Sequence, residues 1–292
     1  MVPFAPGGLV DIVGRLWADK ATSVLGTIVV ENQGGASGTT AAASVARSEP
    51  DGYTILLGNS STQILTPKAM SKPPYDIDKD FDAIAILCVS ATCIVVNPSI
   101  PANDLRGLIA YAKANPGKLS YGSAGAGSMT NLAGELFKHR AGLKDIVHIP
   151  YKGLGPAITD VIGGQIPMVT PNVTAQLLQY HRAGKIRILG INAPKRLAAA
   201  PEIPTSEEAG LHDMVLQVFN GLFAPAHTPT PIIARLSEAT ATVRHNKDFE
   251  AALMKSGFEG LPQTSPAASA DYVRAEAVRL TTIVEELNFR VG

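Results

Sequence analysis

The chain has 292 residues, of which 46% are hydrophobic, enough for one large or two ordinary domains with a buried core. Lys and Arg together number 25, as do Asp and Glu, so there is no basic field to attract nucleic acid or an anionic membrane. No apolar run approaches the ~20 residues that span a bilayer, and no signal-peptide pattern is present. We therefore expect the chain as given to be soluble, an upstream leader having been removed.

The first part of the chain alternates between helical and strand patterns. Helical periodicity predicts a helix over 9–25, and an apolar run predicts a strand over 28–31. A glycine-rich turn at 34–38 precedes a small-residue helix over 39–48, which is followed by a strand over 53–58. Strand, loop, helix and strand in this order are typical of a parallel sheet with crossover helices.

A second α/β alternation begins after the proline-containing segment VVNPSIPAND. It predicts strands in KLSYGS, IVHIP, IPMVTP and IRILGI, with helices between them. The segment QVFNGLFAPAHTPTP is rich in Gly and Pro, and the remainder is mainly helical, without strand partners of its own. We therefore predict a discontinuous lobe 1 over 1–98 and 222–292, with lobe 2 over 99–221 inserted into it.

The cysteines and histidines do not form a recognisable chemical motif. Cys88 and Cys93 are expected to be small buried residues on adjacent strands, with a cross-strand disulfide as the alternative in an oxidising compartment. The six histidines are scattered and include no HExxH pair, so we predict no metal site and no catalytic histidine.

The segment PFAPGG joins the first apolar residues to the helix that begins near Leu9. Its glycines expose backbone N–H groups and the helix adds its positive dipole end, an arrangement that binds carboxylate or phosphate without a lysine. Asp11 lies in the first turn, four residues before Arg15, a spacing that permits an ion pair. The alternative is that this turn only caps the helix.

The segment YGSAGAGSMTN at 121–131 repeats this arrangement in the second lobe. Its glycines free the backbone, and its hydroxyl groups add donors. Ligands of open α/β sheets bind beyond the carboxyl ends of the strands, so we expect the two helix N-termini to face each other across a cleft. Neither loop fits GxGxxG, GxxxxGK[ST] or GxSxG, which disfavours nucleotide binding and serine hydrolysis.

Polar residues also follow other strands at the same predicted edge. Asn59, Ser60 and Ser61 end the strand YTILLG, and Pro171 and Asn172 end another. Lys152, at a strand-to-helix junction, either meets an anion or is simply solvated.

Taken in order, VPFAPGG with Asp11 and Arg15, GASG, PDGYTILLG, YGSAGAGS, HIPYKG and GLFAPAHTP resemble the tripartite tricarboxylate transporter receptor family, also called Bug proteins. The resemblance covers essentially the whole chain. It implies a type II periplasmic-binding-protein fold, the two-lobed Venus flytrap, with mixed, mostly parallel sheets. It implies a periplasmic receptor, not an enzyme, that captures a small di- or tricarboxylate or related organic acid between its lobes and delivers it to membrane permease subunits.

The resemblance also implies which residues bind the ligand carboxylate. In the first lobe they are Phe4, Ala5, Pro6, Gly7, Gly8 and Asp11. From their place at the end of a strand, we expect Asn59, Ser60 and Ser61 to complete the pocket. In the second lobe they are Ser123, Ala124, Gly125, Gly127 and Ser128. Thr130 and Asn131, where the family's helix begins, and Pro171 and Asn172, at the end of another strand, are the other ligand-binding residues that we predict. Asn131 replaces a frequent histidine of the family, and Pro171 replaces a frequent acid, which favours a longer or more acidic ligand.

Two other functions compete with a transport receptor. One is an enzyme on the same scaffold that uses Asp11 as a base, which the lack of a positioned His, Cys or Lys partner disfavours. The other is a sensor that presents its ligand to a signalling partner. For the receptor we expect a monomer that needs no cofactor and binds no nucleic acid.

Overall fold

The computed structural model describes residues 1–261 and 265–290, and packing divides them into two α/β units. The first unit contains Met1–Val89, Phe219–Met254 and the described residues from Glu259 on. The second unit contains Ser90–Val218 and Lys255–Phe258. The predicted lobe boundaries, after residues 98 and 221, remain a prediction.

The helices alternate with strands along much of the chain. They are α1 (Leu9–Leu25), α2 (Thr39–Ala46), α3 (Thr66–Ala69), α4 (Ile77–Asp80), α5 (Leu105–Ala114), α6 (Met129–Ala141), α7 (Leu154–Ile162), α8 (Ala175–Arg182), α9 (Thr230–Arg244), α10 (Lys247–Lys255) and α11 (Pro266–Glu286). A 3₁₀ turn, Ala36–Gly38, precedes α2, and a π-helical turn, Ser61–Leu65, precedes α3. Among the described residues, no helix is both long enough and apolar enough to cross a bilayer.

The strands form one sheet in each unit. They are β1 (Leu56–Asn59), β2 (Phe81–Ala91), β3 (Cys93–Val96), β4 (Ser120–Ser123), β5 (Val147–Pro150), β6 (Met168–Val169), β7 (Arg187–Ile191), β8 (Gln217–Pro225) and β9 (Glu259–Gly260). The first sheet has the order β1-β8-β2-β9, and the second has the order β5-β4-β6-β3-β7.

The sheets are mixed or antiparallel, so the expectation of mostly parallel sheets is wrong. Strand β4 is parallel to β5 and to β6, as crossover helices require. Strand β3 is antiparallel to β6 and β7, while β1 pairs antiparallel with β8, and β2 with β9. In the described chain no helix stands between β2 and β3 or between β7 and β8, so neither β3 nor β8 follows a helical crossover of the kind that a parallel pair needs.

Two further strand expectations fail. Residues 28–31 form no strand, and the extended chain there makes a single parallel bridge between Val2 and Asn32. Conversely, the Gly- and Pro-rich segment after residue 216 contains β8, which lies between β1 and β2. The C-terminal part of the chain therefore does supply strands to the first sheet, contrary to expectation.

Helix α1 packs on β1 and α9 in the first unit. A Cβ added at Gly14 would lie 2.9 Å from Leu57 and 3.2 Å from Val2, which shows how closely α1 approaches the sheet. The indole Nε1–H of buried Trp17 donates to Thr240 Oγ1 of α9 at 3.2 Å. These contacts pack the first half of α1 against β1 and α9.

The second unit has an apolar core around β3, β6 and β7. It includes Val95, Val161, Ile166, Val169, Val173, Leu177, Ile188 and Ile191, all buried. Helix α6 covers the β4 side of this unit and begins immediately after the loop 124–128. The loop therefore runs from the end of β4 to the start of a helix that packs on the same strand.

Candidate functional site

The first loop, residues 3–8, leads from the Val2 bridge into α1. Ala5, Pro6 and Gly7 are exposed, while Phe4 and Gly8 are partly exposed. Gly7 has a φ of 79°, a left-handed conformation that favours glycine. The loop thus presents backbone to solvent directly before the N-terminus of a 17-residue helix.

The N-terminus of α1 has no side-chain cap in the part of the chain that the structure describes. Gly8 stands at the N-cap position, and the helix's first backbone bond runs from Ile12 N–H to Gly8 O at 3.0 Å. The N–H groups of the first turn precede that bond, as at any helix start. With the positive end of the helix dipole, they suit an anion.

Asp11 is directed into the protein and holds the first loop. Its carboxylate accepts hydrogen bonds from Gly7 N–H (2.8 Å), Arg15 Nε (3.0 Å) and Asn32 Nδ2 (2.9 Å). Asn32 Nδ2 also donates to Phe4 O at 3.0 Å. The expected Asp11–Arg15 ion pair is therefore present, and Asn32 extends it to the loop backbone.

These contacts determine the charge state of Asp11. Burial works to raise the pKa of this carboxyl, but the hydrogen bonds from Arg15, Gly7 and Asn32, together with the Arg15 charge, outweigh it and hold the pKa below its ordinary value. Such an anion is a weak proton acceptor, which removes the chemical basis for Asp11 as a catalytic base.

The end of β1 forms a compact turn. Asn59 Oδ1 accepts from Ser61 N–H (3.0 Å) and Thr62 N–H (3.1 Å), while Asn59 N–H donates to Thr62 Oγ1 (3.0 Å). Ser60 Oγ accepts from Phe219 N–H at 3.0 Å, which ties this turn to β8. The polar groups of Asn59, Ser60 and Ser61 are buried and take part in local structure.

The turn at 34–38 lies against the first loop and was not among the predicted site residues. Gly35, Ala36, Ser37 and Gly38 all have φ between 44° and 139°. A Cβ at Gly38 would lie 2.6 Å from Thr62 Cγ2 and 3.1 Å from both the Phe4 ring and Pro3. The glycine pattern GASG was the available signal, because only a residue without a side chain lets these three segments meet.

The second loop, residues 124–128, is held by its own polar side chains. Ala124 N–H donates to Thr130 Oγ1 (2.9 Å), Gly125 N–H to Ser123 Oγ (3.1 Å) and Gly127 N–H to Asn131 Oδ1 (3.1 Å). Ser128 caps α6 by accepting from Asn131 N–H at 3.2 Å. In contrast to the first loop, this one enters its helix with a side-chain cap.

A buried network supports the second loop from below. Asn131 Nδ2 donates to Tyr121 Oη, which lies 2.7 Å from Glu135 Oε1, and Glu135 pairs with Lys138 at 2.8 Å. Burial and the Glu135 charge raise the pKa of Tyr121, so its hydroxyl stays protonated and donates to the carboxylate. Asn131 thus connects the loop backbone to the sheet.

His148 of β5 lies beside this network, although the scattered histidines were predicted to be isolated. Its Nε2 is 2.7 Å from Ser123 Oγ, and its ring stacks on Tyr121 with centroids 4.8 Å apart. Burial lowers the pKa of His148, which favours the neutral ring. The spacing of the histidines did not predict this contact between His148 and Ser123. The pattern HIPYKG held the signal, because in parallel pairing it sets His148 opposite Tyr121.

Residues 170–174 lie next to the second loop in the same unit. Thr170 Oγ1 donates to Thr130 O at 2.6 Å, and Asn172 Nδ2 donates to Ser90 Oγ at 3.3 Å. Pro171 is buried, and its carbonyl accepts from Cys93 N–H at 2.9 Å. Lys152 is exposed. Thr170 therefore joins this segment to the start of α6, whereas the bonds of Pro171 and Asn172 run to β3 and β2.

The remaining chemical groups lie away from these loops or are inert. Cys88 and Cys93 are free and buried, on β2 of the first sheet and β3 of the second, so no disulfide joins them. Within residues 1–261 and 265–290, no group of three or more His, Cys, Asp or Glu side chains is placed to hold a metal.

The two α/β units, each with a glycine-rich loop before a helix, are typical of solute-binding proteins of the two-lobed periplasmic type. Solved structures of such proteins are similar to this chain. A solved periplasmic transporter is 37% identical, covering 99% of this chain and 96% of that one, with a TM-score of 0.93. MatC (Rpa3494) from Rhodopseudomonas palustris, solved with bound malate, is 31% identical, covering 97% of each chain, with a TM-score of 0.91. Rpa4515 from the same organism, solved with adipate, is 29% identical, covering 99% and 96%, with a TM-score of 0.94.

The family model described as the tripartite tricarboxylate transporter family receptor matches residues 13–289. The chain belongs to this family, which confirms the resemblance read from its motifs. It is a periplasmic solute-binding receptor of a tripartite transporter and not an enzyme.

Proposed function

We propose that this receptor binds a small dicarboxylate through the backbone of its two glycine-rich loops. The observation that carries the proposal is the start of α1, where an exposed glycine loop meets a helix N-terminus without a side-chain cap. Asp11 does not compete for that position, because its carboxylate is engaged by Gly7, Arg15 and Asn32. An anion supplied by a ligand therefore complements the helix dipole.

We assign the remaining predicted residues to the same function. From the first unit these are Phe4, Ala5, Pro6, Gly7 and Gly8, with Asn59, Ser60 and Ser61. From the second unit these are Ser123, Ala124, Gly125, Gly127, Ser128, Thr130, Asn131, Pro171 and Asn172. Hydrogen bonds to a carboxylate contribute about 1.5–3 kcal/mol each, so a few of them support affinities of about 1 µM or tighter after the costs of ordering.

The proposed ligand class is a C4 to C6 dicarboxylate or a related organic acid. Malate and adipate are the acids bound in two similar structures. The apolar residue at position 171 provides no negative charge to repel a second carboxylate. We therefore expect the longer or more acidic members of the class to bind most tightly.

Titration calorimetry against C3 to C10 mono-, di- and tricarboxylates tests the proposal. We expect saturable heat with at least one dicarboxylate and none with its diamide, which lacks the charge. Lys152→Gln serves as the matched variant, because Lys152 is exposed and the alternative gives it a role in anion binding. If folded, ligand-free protein gives no heat with any acid of the panel, the proposal is wrong. Loss of binding in K152Q would indicate that the anion binds at the β5–α7 junction instead.

The finer expectations from the resemblance belong to the same proposal. They are a type II Venus-flytrap topology, a monomer in the periplasm, and delivery of the ligand to membrane permease subunits. Light scattering with size-exclusion chromatography checks the oligomeric state, for which we expect a mass near 30.5 kDa. A stable mass of twice that value contradicts the monomer.

A further inference from the structure

His148 and Ser123 are brought together by the parallel pairing of β4 and β5. The register sets Tyr121 opposite His148 and Ser123 opposite Pro150. Side chains two residues apart on a strand share a face, so Tyr121 and Ser123 lie on the side from which His148 projects. The imidazole stacks on the Tyr121 ring, and its Nε2 lies 2.7 Å from Ser123 Oγ.

The Ser123 hydroxyl is a branch point between this histidine and the second loop. Its oxygen accepts from Gly125 N–H at 3.1 Å and lies 3.2 Å from Gly125 O. Gly125 O in turn accepts from the Ser128 hydroxyl at 2.7 Å. The direction in which Ser123 donates therefore decides whether Gly125 O receives a second hydrogen bond.

A neutral imidazole permits two directions for this hydrogen bond. If Nε2 is unprotonated, the Ser123 hydroxyl donates to it; if Nε2 carries hydrogen, Ser123 accepts and its own hydrogen points to Gly125 O. A protonated ring allows only the second arrangement. Protonation of His148 thus orders the loop in one hydrogen-bonding state and adds a positive charge behind it.

We propose that His148 is a positioning residue for carboxylate binding, which acts through Ser123 on the loop 124–128 and strengthens binding when it is protonated. This inference rests on the proposed function and adds a residue outside the predicted site to it. A positive charge beside an anion-binding loop favours the bound anion, and by linkage the bound anion favours the charged ring.

The surroundings of the imidazole bear on its titration. Among the described residues, the charged groups that act on it are Glu135 and Lys138 of α6, which favour and disfavour the imidazolium respectively. Tyr121 of β4 faces the ring in its neutral form, and β5 has no other charged side chain. Burial is the largest effect and lowers the pKa of His148, so the change in affinity falls on the acidic side of neutrality.

Calorimetry with malate and adipate between about pH 8 and pH 5.5 tests the inference in the wild type and three variants. In the wild type, affinity should rise about threefold to tenfold as the pH falls. His148→Gln keeps a group that hydrogen-bonds Ser123 but cannot titrate, so it should show only the pH dependence that comes from the ligand's own ionisation. His148→Phe keeps the stacking but loses the hydrogen bond, and should bind about fivefold to tenfold more weakly than H148Q at every pH.

His245→Gln is the matched control, because His245 is exposed at the end of α9 in the other unit. It should leave affinity and pH profile unchanged. Imidazole NMR gives a second readout, in which saturating malate raises the pKa of His148 in the wild type. Identical pH profiles in wild type and H148Q, or a His148 pKa that malate does not move, overturn the inference alone. Absence of binding by the wild type at every pH overturns the proposed function and the inference with it.

Discussion

Asp11 shows how one carboxylate stabilises a binding loop at the residue scale. Replacing it with Asn removes the negative charge of the carboxylate that accepts hydrogen bonds from Gly7, Arg15 and Asn32. Asp11→Asn should therefore lower the free energy of unfolding by about 2 kcal/mol at pH 7. Urea denaturation measures the loss. Asp19→Asn is the control, because Asp19 lies exposed on the same helix and its removal should cost less than about 0.5 kcal/mol.

The sign of the pH dependence of this loss follows from the lowered pKa of Asp11. Because the native pKa lies below its ordinary value of 3.8, the carboxylate's contribution is complete above that value and disappears as pH falls through the native pKa. The difference between wild type and D11N should therefore shrink below about pH 4. A difference that stays constant to pH 3 contradicts this account.

Gly134 of α6 illustrates a steric constraint at the same scale. A Cβ there would lie 2.1 Å from the Tyr121 ring, which is fully buried. Gly134→Ala should therefore lower the free energy of unfolding by about 1–3 kcal/mol, despite the better helix propensity of alanine. Thermal denaturation measures it against Gly155→Ala, a helical position with open space that should be neutral or slightly stabilising.

At the residue scale, local spacing predicts some contacts and not others. The Asp11–Arg15 pair follows from their separation of four residues on a helix. The bond from Asn32 to Asp11 depends on the extended return of the chain beside Val2, which no local pattern contains. The Ser123–His148 contact likewise depends on the β4–β5 register, so histidine spacing alone did not reveal it.

At the element scale, helices with local start signals were predicted closely. The segment MTNLAGELFKHRA coincides with α6, because Ser128 caps its start and Gly142 adopts the left-handed conformation at its end. Residues 28–31 have side chains of high strand propensity, but the pairing described beside them is the single bridge between Val2 and Asn32. Without a partner strand, propensity alone does not produce a strand. Strand β8 was missed because Gly221 and Pro225 resemble loop punctuation, whereas pairing on both sides makes it a central strand.

Hydrogen exchange distinguishes these two segments. Amides of residues 218–224 in β8 should exchange at least about a hundredfold more slowly than those of residues 28–30, because β8 pairs with β1 and β2. The strand propensities alone give the opposite order. Mass spectrometry of peptides from both segments measures the rates, and comparable fast exchange in both would contradict the central position of β8.

At the scale of the whole molecule, motif order identified the family, whereas the pairing of strands needed the structure. The glycine-rich loops, their following helices and the parallel β5-β4-β6 arrangement all follow from local alternation. The antiparallel partners of β3 and β8 come from segments far apart in the chain, as in the contacts between residues 56–59 and 220–223. Long-range pairing of this kind decides sheet direction and leaves little local trace.

The two cysteines provide a probe of each unit during ligand binding. Burial raises the pKa of the Cys88 thiol to about 12 and also raises that of Cys93, so both should resist a thiol reagent until the unit containing them opens. A carboxylate ligand at 100 times its dissociation constant should slow labelling by about a hundredfold in each unit whose folded state it stabilises. Mass spectrometry of the labelled peptides in mild urea reports Cys88 and Cys93 separately, and fully unfolded protein calibrates their intrinsic reactivity.

Slowing at both cysteines is expected if the loops of both units contribute to ligand binding. Slowing at Cys88 alone would confine the binding energy to the first unit and contradict the role given to residues 123–131.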